Sequence, residues 1–283
     1  MEDLRSKLEL RRRLEEFLEE DIGSGDITSN LLVPASLRAK GEIVCKSSGA
    51  TVSGLEEAAL VFEICDCDAR VLTKDGSSLT NGQAVLKLAG NARAILKAER
   101  TALNLLMRMS GIATETKRVS SLARGVKILA TRKTAPGLRY FDKKAVIAGG
   151  GGAHRIRLDD MVLIKDNHLE LAGPAGKCVR TAKKGSASSM KVECEVRNTK
   201  EAVEAVSAGA DIVMLDNFAP SSACSTIKEL TRLGLRKKCK IEISGGVNER
   251  NIRQFAKCKP DFISLGYITH SPKAVDFSLE MRL

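Results

Sequence analysis

Aromatic side chains are nearly missing from this chain: no tryptophan, two tyrosines and 3% aromatic residues overall in 283 positions. Stacking platforms for single-stranded nucleic acid are therefore scarce. Long apolar runs are missing too, with none near the ~18 residues of a membrane span. The opening Met1-Glu2-Asp3-Leu4-Arg5 has no apolar stretch of the kind a signal peptide needs. The eight cysteines (Cys45, Cys65, Cys67, Cys178, Cys194, Cys224, Cys239 and Cys258) include no C-x-x-C pair, and there are three histidines. That argues against a structural zinc site and makes reduced thiols in a cytoplasm the simplest reading. What is present, 43% hydrophobic and 29% charged residues, describes a soluble globular chain. At this length one large domain plus a smaller one is expected.

The formal net charge is +11. It admits two readings, a nucleic-acid binder or an electrostatic funnel for an acidic small molecule. Arg11-Arg12-Arg13 and Arg236-Lys237-Lys238 read as solvated helix faces and turns. The cations between Thr131 and His168 are different, because they are threaded with glycine and framed by apolar strands. Thr131–Arg139, Gly149–Arg155 and Leu163–His168 hold most of them. Like charges this close persist when an anion sits among them. A phosphate, pyrophosphate or dicarboxylate fits, so the small-anion reading outweighs nucleic acid.

The chain has two textures. Residues 4–20 predict an amphipathic helix, with Leu4, Leu8, Leu14, Phe17 and Leu18 on one stripe. An acidic glycine turn, Glu20–Thr28, follows. Short strands at Glu42–Cys45 and Ala84–Leu88 flank a helix over Leu55–Ile64, with turns at Lys74-Asp75-Gly76 and Asn81-Gly82. Residues 91–109 predict a long helix with Ile95, Ala98, Ala102, Leu105 and Met109 on one face. Beyond about residue 125, six apolar runs recur: Val126–Ala130, Met161–Ile164, Val192–Val196, Asp211–Leu215, Ile241–Ile243 and Phe262–Leu265. Helical stretches at Thr199–Ala208, Ser221–Leu233 and Glu249–Cys258 separate several of them. This alternation predicts a parallel sheet with right-handed crossovers, closing toward a β/α barrel. Six strands are clear, not eight.

Polar residues gather where those strands end. Arg132 and Lys133 follow the first and Lys165 and Asp166 the second. Glu195 is near the end of the third, and Asp216 and Asn217 close the fourth. Ser244-Gly245-Gly246 follows the fifth and Gly266 the sixth. In a β/α barrel these ends share one rim, which holds the chemistry. The serine–glycine turn offers N–H groups to a phosphate. Glu195 and Asp216 suit sugar hydroxyls, Mg²⁺ through water, or a developing cation; their bland role is pairing with Lys133 or Lys165. Arg132, Arg139 and Arg155 suit planar carboxylates. His154 beside Arg155 belongs in the site, whereas His168 orders the turn after Lys165.

At these motifs the chain closely resembles quinolinate phosphoribosyltransferase, the nicotinate-nucleotide pyrophosphorylase (carboxylating). The matching stretches are Glu20–Thr28, Ala98–Thr114, Thr131–Arg139, Lys144–Arg155, Leu163–His168, Glu193–Val196, Met214–Asn217, Ile243–Val247 and Ser264–Ser271, in family order. The resemblance implies transfer of phosphoribose from phosphoribosyl pyrophosphate to quinolinate with loss of CO₂, using Mg²⁺, in de novo NAD biosynthesis. It implies an α/β fold: an N-terminal α/β sandwich over 1–110, with 272–283 packing back on it, and an incomplete seven-stranded α/β barrel over 111–271. It implies a cytoplasmic homodimer with shared active sites, a hexamer being left open, and no nucleic acid or membrane.

Carried over residue by residue, Arg132, His154 and Arg155 hold the quinolinate carboxylates, and Arg100 reaches in from the partner subunit. Lys133, Thr134, Lys165, Glu195, Asp216, Ser244, Gly245, Gly246, Ser264 and Gly266 hold phosphoribosyl pyrophosphate, the metal resting on Glu195 and Asp216 through water. Lys133, Lys165, Glu195 and Asp216 carry the catalysis. Two departures from the family pattern stand out: Ala130 in place of Asp, and Ala153 in place of Asn. The rival readings are a molybdenum-operon paralogue, a nicotinate-specific phosphoribosyltransferase, a biotinyl-type carrier around Gly76, Gly82 and Gly90, and the nucleic-acid binder.

Overall fold

The computed structural model describes residues 7–282; Leu4, the Met1–Arg5 start and Leu283 lie outside them. In chain order, α1 (Lys7–Ile22) and α2 (Ile27–Leu32) lead into β1 (Arg38–Cys45), α3 (Leu55–Ile64), β2 (Asp68–Val71) and β3 (Ala84–Asn91). Then come α4 (Ala92–Leu122), β4 (Lys127–Ala130), α5 (Arg139–Ala148) and β5 (Val162–Ile164). Next are α6 (Asp166–Ala172), α7 (Ala175–Gly185), β6 (Val192–Val196), α8 (Thr199–Ser207), β7 (Ile212–Asp216) and α9 (Pro220–Arg232). The chain ends with β8 (Lys240–Ser244), α10 (Ile252–Lys257), β9 (Phe262–Leu265), α11 (Tyr267–His270) and β10 (Phe277–Arg282). It forms two compact units.

The first unit takes the chain up to Lys117, Ala135–Gly150, and Thr269 onward. Its sheet is antiparallel, in the order β10-β1-β3-β2. Buried and exposed positions alternate along the first half of β1, as a half-covered strand requires. α3 packs on β2 and β3, and α1 packs on α3 through the buried Leu10, Leu14 and Leu18. The acidic glycine turn acquires a purpose here: Asp26 accepts a hydrogen bond from the Ser29 N–H at 3.0 Å and caps α2. In α4 the predicted stripe Ile95, Ala98, Ala102, Leu105 and Met109 is buried. The helix continues well beyond 109, since no proline interrupts it.

The contacts divide the chain at 117/118, and they draw 135–150 into the first unit. The reason lies in α5. Its Asp142 accepts from Arg108 Nε and Nη2 at 2.8 and 2.9 Å, and Phe141 stacks on Phe17 with ring centroids 5.6 Å apart. β10 adds to β1 in antiparallel register, from Lys40 opposite Arg282 to Cys45 opposite Phe277.

The second unit is a six-stranded parallel sheet ordered β4-β9-β8-β7-β6-β5. A parallel bridge from Leu129 to Gly152 lies beyond β4. Glu195, Met214 and Glu242 are register partners across β6, β7 and β8, as are Asp216 and Ser244. They therefore share one face of the sheet, and it is polar. The alternate positions Val196, Val213, Leu215, Ile241 and Ile243 are apolar and buried, and α7 and α8 pack on β6 and β7. The helix expected over Glu249–Cys258 is shorter, because Asn251 Oδ1 accepts from the Asn248 N–H and holds the first residues in a turn.

The expectation of uniformly reduced thiols is corrected here. Cys224 of α9 and Cys258 at the end of α10 form a disulfide, their Cα atoms 4.7 Å apart. α9 and α10 pack together, which brings two cysteines 34 residues apart into bonding range. The other six cysteines are free and buried.

Candidate active site

The polar face of the second unit opens into a pocket of about 560 Å³. Arg132, Lys133, His154, Arg155, Lys165, Glu195, Asp216, Ser244, Gly245, Gly246 and Ser264 all line it. Six strand ends separated in sequence thus meet at one cavity. Thr134 and Gly266 are not among its lining residues. Arg100 is exposed on α4, and Arg139 opens α5; both belong to the first unit. The lining is not uniformly cationic: Asp166, Glu195, Asp216 and Glu242 stand against Arg132, Lys133, Arg155 and Lys165.

Arg155 and Arg132 form the cationic part. Arg155 is only 8% exposed. Burial first, and repulsion from Arg132 next, hold its guanidinium below its usual pKa. Arg132 Nε is buried without a hydrogen-bond partner in the protein, and so is Ser264 Oγ. Orphaned polar atoms beside two repelling guanidiniums leave the pocket suited to a polar, anionic guest.

Opposite them, Lys165 Nζ lies 2.8 Å from Glu195 Oε1. This is the pairing that the bland reading of these residues anticipates, yet Lys165 stays 46% exposed. His168 Nδ1 accepts from the Lys165 N–H at 2.8 Å, so His168 orders this turn. Asn217, at φ +56°, donates from Nδ2 to Asp216 at 2.7 Å. Its own N–H donates to the Ser244 carbonyl at 2.9 Å, tying the ends of β7 and β8 together. Gly245 follows at φ +81°, where an added Cβ would run into the Asn217 side chain. Glu195 and Asp216 offer hard oxygen donors at the ends of adjacent strands, a donor set that fits Mg²⁺ held through water.

His154 lines the pocket, as expected, and its ring also faces two buried carboxylates. Its Nε2 lies 3.2 Å from Glu193 and 3.4 Å from Glu242, both carboxylates fully buried. Its Nδ1 accepts from the Arg155 N–H at 2.7 Å. Nδ1 is thus committed within the protein, whereas the buried Glu193 and Glu242 oxygens near Nε2 have no hydrogen-bond partner. The ring and the two carboxylates lie within 4.8 Å of one another, a set that could ligate a metal. A metal-bound histidine, however, donates its other N–H. Here that nitrogen accepts, so Nε2 keeps its proton and is not a ligand. Burial opposes a charge on His154, but the facing carboxylates outweigh it and lift its pKa to about 9. Burial also raises Glu193.

The sequence reading assigns no role to Glu193 or Glu242. Their signal is parity: Glu193 shares a face with Glu195, and a carboxylate between Ile241 and Ile243 has no solvent to reach.

Residues 112–280 match the C-terminal domain of the quinolinate phosphoribosyl transferase family, and residues 26–110 match its N-terminal domain. The chain is 43% identical to the probable nicotinate-nucleotide pyrophosphorylase (carboxylating) of Methanothermobacter thermautotrophicus, over 95% of this chain and 98% of that one. It is 36% identical to the Bacillus subtilis protein described in the same words, over 98% and 94%. Among solved structures, it is similar to the nicotinate-nucleotide pyrophosphorylase from Francisella tularensis, with a TM-score of 0.89 and 38% identity over 96% of both chains.

Proposed function

The chain belongs to the quinolinate phosphoribosyltransferase family, and from that membership we propose how its residues divide the work. It transfers phosphoribose from phosphoribosyl pyrophosphate to quinolinate in NAD biosynthesis, releasing pyrophosphate and CO₂ and forming nicotinate mononucleotide. Arg132 and Arg155 grip the quinolinate carboxylates. The observation that carries this is their setting: two guanidiniums that repel each other in one pocket, one buried, the other with an orphaned Nε. Ser244, Gly245 and Gly246 cradle the 5′-phosphate, with Ser264, Thr134 and Gly266 completing the phosphoribosyl side. Lys133 and Lys165 hold the pyrophosphate. Glu195 and Asp216 hold ribose and Mg²⁺, which when bound neutralises charge on the leaving pyrophosphate.

The C1′–oxygen bond breaks, and its electron pair leaves with pyrophosphate. Glu195, its carboxylate set by Lys165, faces the positive charge that develops on ribose; at ~4 Å and an effective dielectric of ~20 such a charge is worth about 4 kcal/mol. The pyridine nitrogen lone pair then closes the C1′–N bond. The ring, now cationic, takes up the electron pair of the adjacent carbon–carboxylate bond as CO₂ departs, and a water proton replaces it. Little acid–base chemistry is asked of the protein, so catalysis is positioning and electrostatics.

The working unit is a homodimer in which the exposed Arg100 reaches the site of a second copy. We read the parallel sheet as the wall of an incomplete seven-stranded α/β barrel, a reading the Leu129–Gly152 bridge supports, and the first unit as an α/β sandwich. Among the described residues no helix is long and apolar enough to cross a membrane. Both substrates carry several negative charges and cross lipid poorly, which favours a reaction in the compartment that makes them, taken here as the cytoplasm. Incubation with carboxyl-labelled quinolinate, phosphoribosyl pyrophosphate and Mg²⁺ should yield nicotinate mononucleotide and labelled CO₂ in equal amounts. Consumption of nicotinate with no CO₂ would overturn the assignment.

A further inference from the structure

The cationic segment Arg236-Lys237-Lys238, a solvated turn by its sequence, borders a hollow in the second unit. With Lys240, which opens β8, it lines a cavity of about 700 Å³. Lys191 and Lys259 complete the cationic wall, against the single carboxylate of Asp211. Lys191, Asp211 and Lys240 stand at the starts of β6, β7 and β8, so this hollow lies at the opposite ends of the strands from the candidate active site. Its lining sets six lysines and arginines against one carboxylate, whereas the active-site pocket sets four against four.

The nearby carboxylates are already taken. Asp261 pairs with Arg236 and Lys240 at 2.8 and 2.9 Å. Asp211 pairs with Lys183, and Lys191 comes within 3.8 Å of it. Lys237, Lys238 and Lys259 are exposed and have no carboxylate partner among the described residues. Burial pushes the Cys239 thiol up to about 11, so it adds no negative charge. Unbalanced charge of one sign works against the compact state, so fastening the strands does not explain it. The wall is also held in place. Arg236 donates to the Cys239 carbonyl at 3.2 Å and to the Lys259 carbonyl at 3.3 Å, so one guanidinium ties two sides of the hollow together. Lys259 is kept at φ +56°, a conformation unfavourable for a non-glycine residue unless its surroundings enforce it.

We propose that this hollow is a second anion site, which takes a polyphosphate chain, either free or as the tail of a nucleotide. Three unpaired lysines from two loops match several linked phosphates better than one. The lining has no aromatic side chain on which a base could stack, so the phosphates are what is recognised. The cavity volume is in the range of small-molecule sites. The net charge of +11 finds a use here that the balanced active-site pocket does not give it.

Calorimetric titration of the whole protein with tripolyphosphate, at fixed ionic strength, tests this. The active site is expected to hold pyrophosphate too, so its grip is first removed with Lys133→Ala and Lys165→Ala. That variant should still bind one equivalent of tripolyphosphate per chain. Adding Lys237→Ala, Lys238→Ala and Lys259→Ala should weaken this binding by about a hundredfold or more. The same three changes in the otherwise wild-type chain should leave kcat and both KM values as they were, which also shows that the variant folds. Inorganic phosphate should bind more weakly than tripolyphosphate by about tenfold or more. ATP binding as tightly as tripolyphosphate would support a nucleotide tail as the occupant, and weaker binding a free chain. Loss of all tripolyphosphate binding with Lys133 and Lys165, or an affinity indifferent to the other three lysines, would overturn the proposal. So would generic duplex DNA that binds through these three lysines and is not displaced by tripolyphosphate.

Discussion

Lys165 and Glu195 stand 2.8 Å apart at the ends of neighbouring strands, with Lys165 46% exposed and Glu195 12%. An ion pair this open contributes little to stability, so its placement is better explained by the reaction than by the fold. Lys165→Ala should lower turnover by about 10²-fold or more while leaving the thermal midpoint nearly unchanged. Glu195→Ala should do the same, with a distinguishing feature. Removing the carboxylate frees Lys165 for the pyrophosphate, so kcat should fall further than KM rises. Steady-state kinetics on variants of native thermal stability check both, and unchanged turnover would remove the pair from the chemistry. These two residues were legible in the sequence because Lys165 follows one apolar run and Glu195 lies near the end of another. Glu193 and Glu242 carried only the parity signal, which places a carboxylate on the inner face without naming its partner. The partner that distinguishes them, His154, is about 40 and 90 residues away and reaches them only through sheet order.

At the scale of elements, strand ends and the connections that follow them carry most of the site. The β7 and β8 ends are joined where Asn217 donates to Ser244 and Gly245 turns away at φ +81°. Gly245→Ala combines a strained backbone with a Cβ driven into Asn217. It should cost about 1–3 kcal/mol and raise the KM for phosphoribosyl pyrophosphate more than that for quinolinate. Equal KM values with the wild-type protein would show that this turn does not hold the phosphate. The opposite ends of the strands are fastened by Asp261, which accepts from the Ile241 N–H at 2.8 Å, Lys240 at 2.9 Å and Arg236 at 2.8 Å. Burial opposes its charge, but these donors outweigh it and hold the carboxyl below its ordinary 3.8. The unfolded chain therefore takes up the proton first as acid is added. The stabilisation is present above that ordinary value and disappears as pH falls through the lowered folded one. Asp261→Asn should melt lower at neutral pH and lose less of its midpoint on acidification; melts from about pH 6 to about pH 3 test this. β1, β3 and the six strands of the parallel sheet were legible from their apolar runs, whereas β2 and β10 were not. α5, α6 and α7 were not, because charged and glycine-rich stretches mask their short apolar faces, and α5 finds its partners, Arg108 and Phe17, far away in the chain.

At the scale of the whole molecule, the order of motifs along the chain pointed to the family, but the division into units could not be read from texture. Residues 135–150 look like the middle of the strand–helix repeat and yet belong with the first unit; what ties them there is the Arg108–Asp142 pair, the Lys144 pairs to Glu56 and Glu57, and the Phe17–Phe141 contact. The disulfide was hidden for a related reason, since cysteines 34 residues apart match no motif and become neighbours only when α9 and α10 pack. Its consequence lies entirely within the second unit. The loop it closes contains β8, the Ser244–Gly246 turn and α10, so the cross-link restrains the unfolded form of the segment that carries the phosphate turn. For a loop of this length the chain-entropy estimate is about 4 kcal/mol, equivalent to a fall in midpoint of roughly 10 °C on reduction. Thiol titration of the denatured protein should find six reactive groups without reductant and eight with it. Reductant should lower the melting midpoint of the wild-type protein but not that of a Cys224→Ser, Cys258→Ser double variant. Hydrogen exchange should quicken between Cys224 and Cys258 and stay unchanged in β1 and β3 of the first unit. A midpoint indifferent to reductant, with the two extra thiols counted, would mean that helix packing alone holds α9 to α10 and the cross-link restrains nothing further.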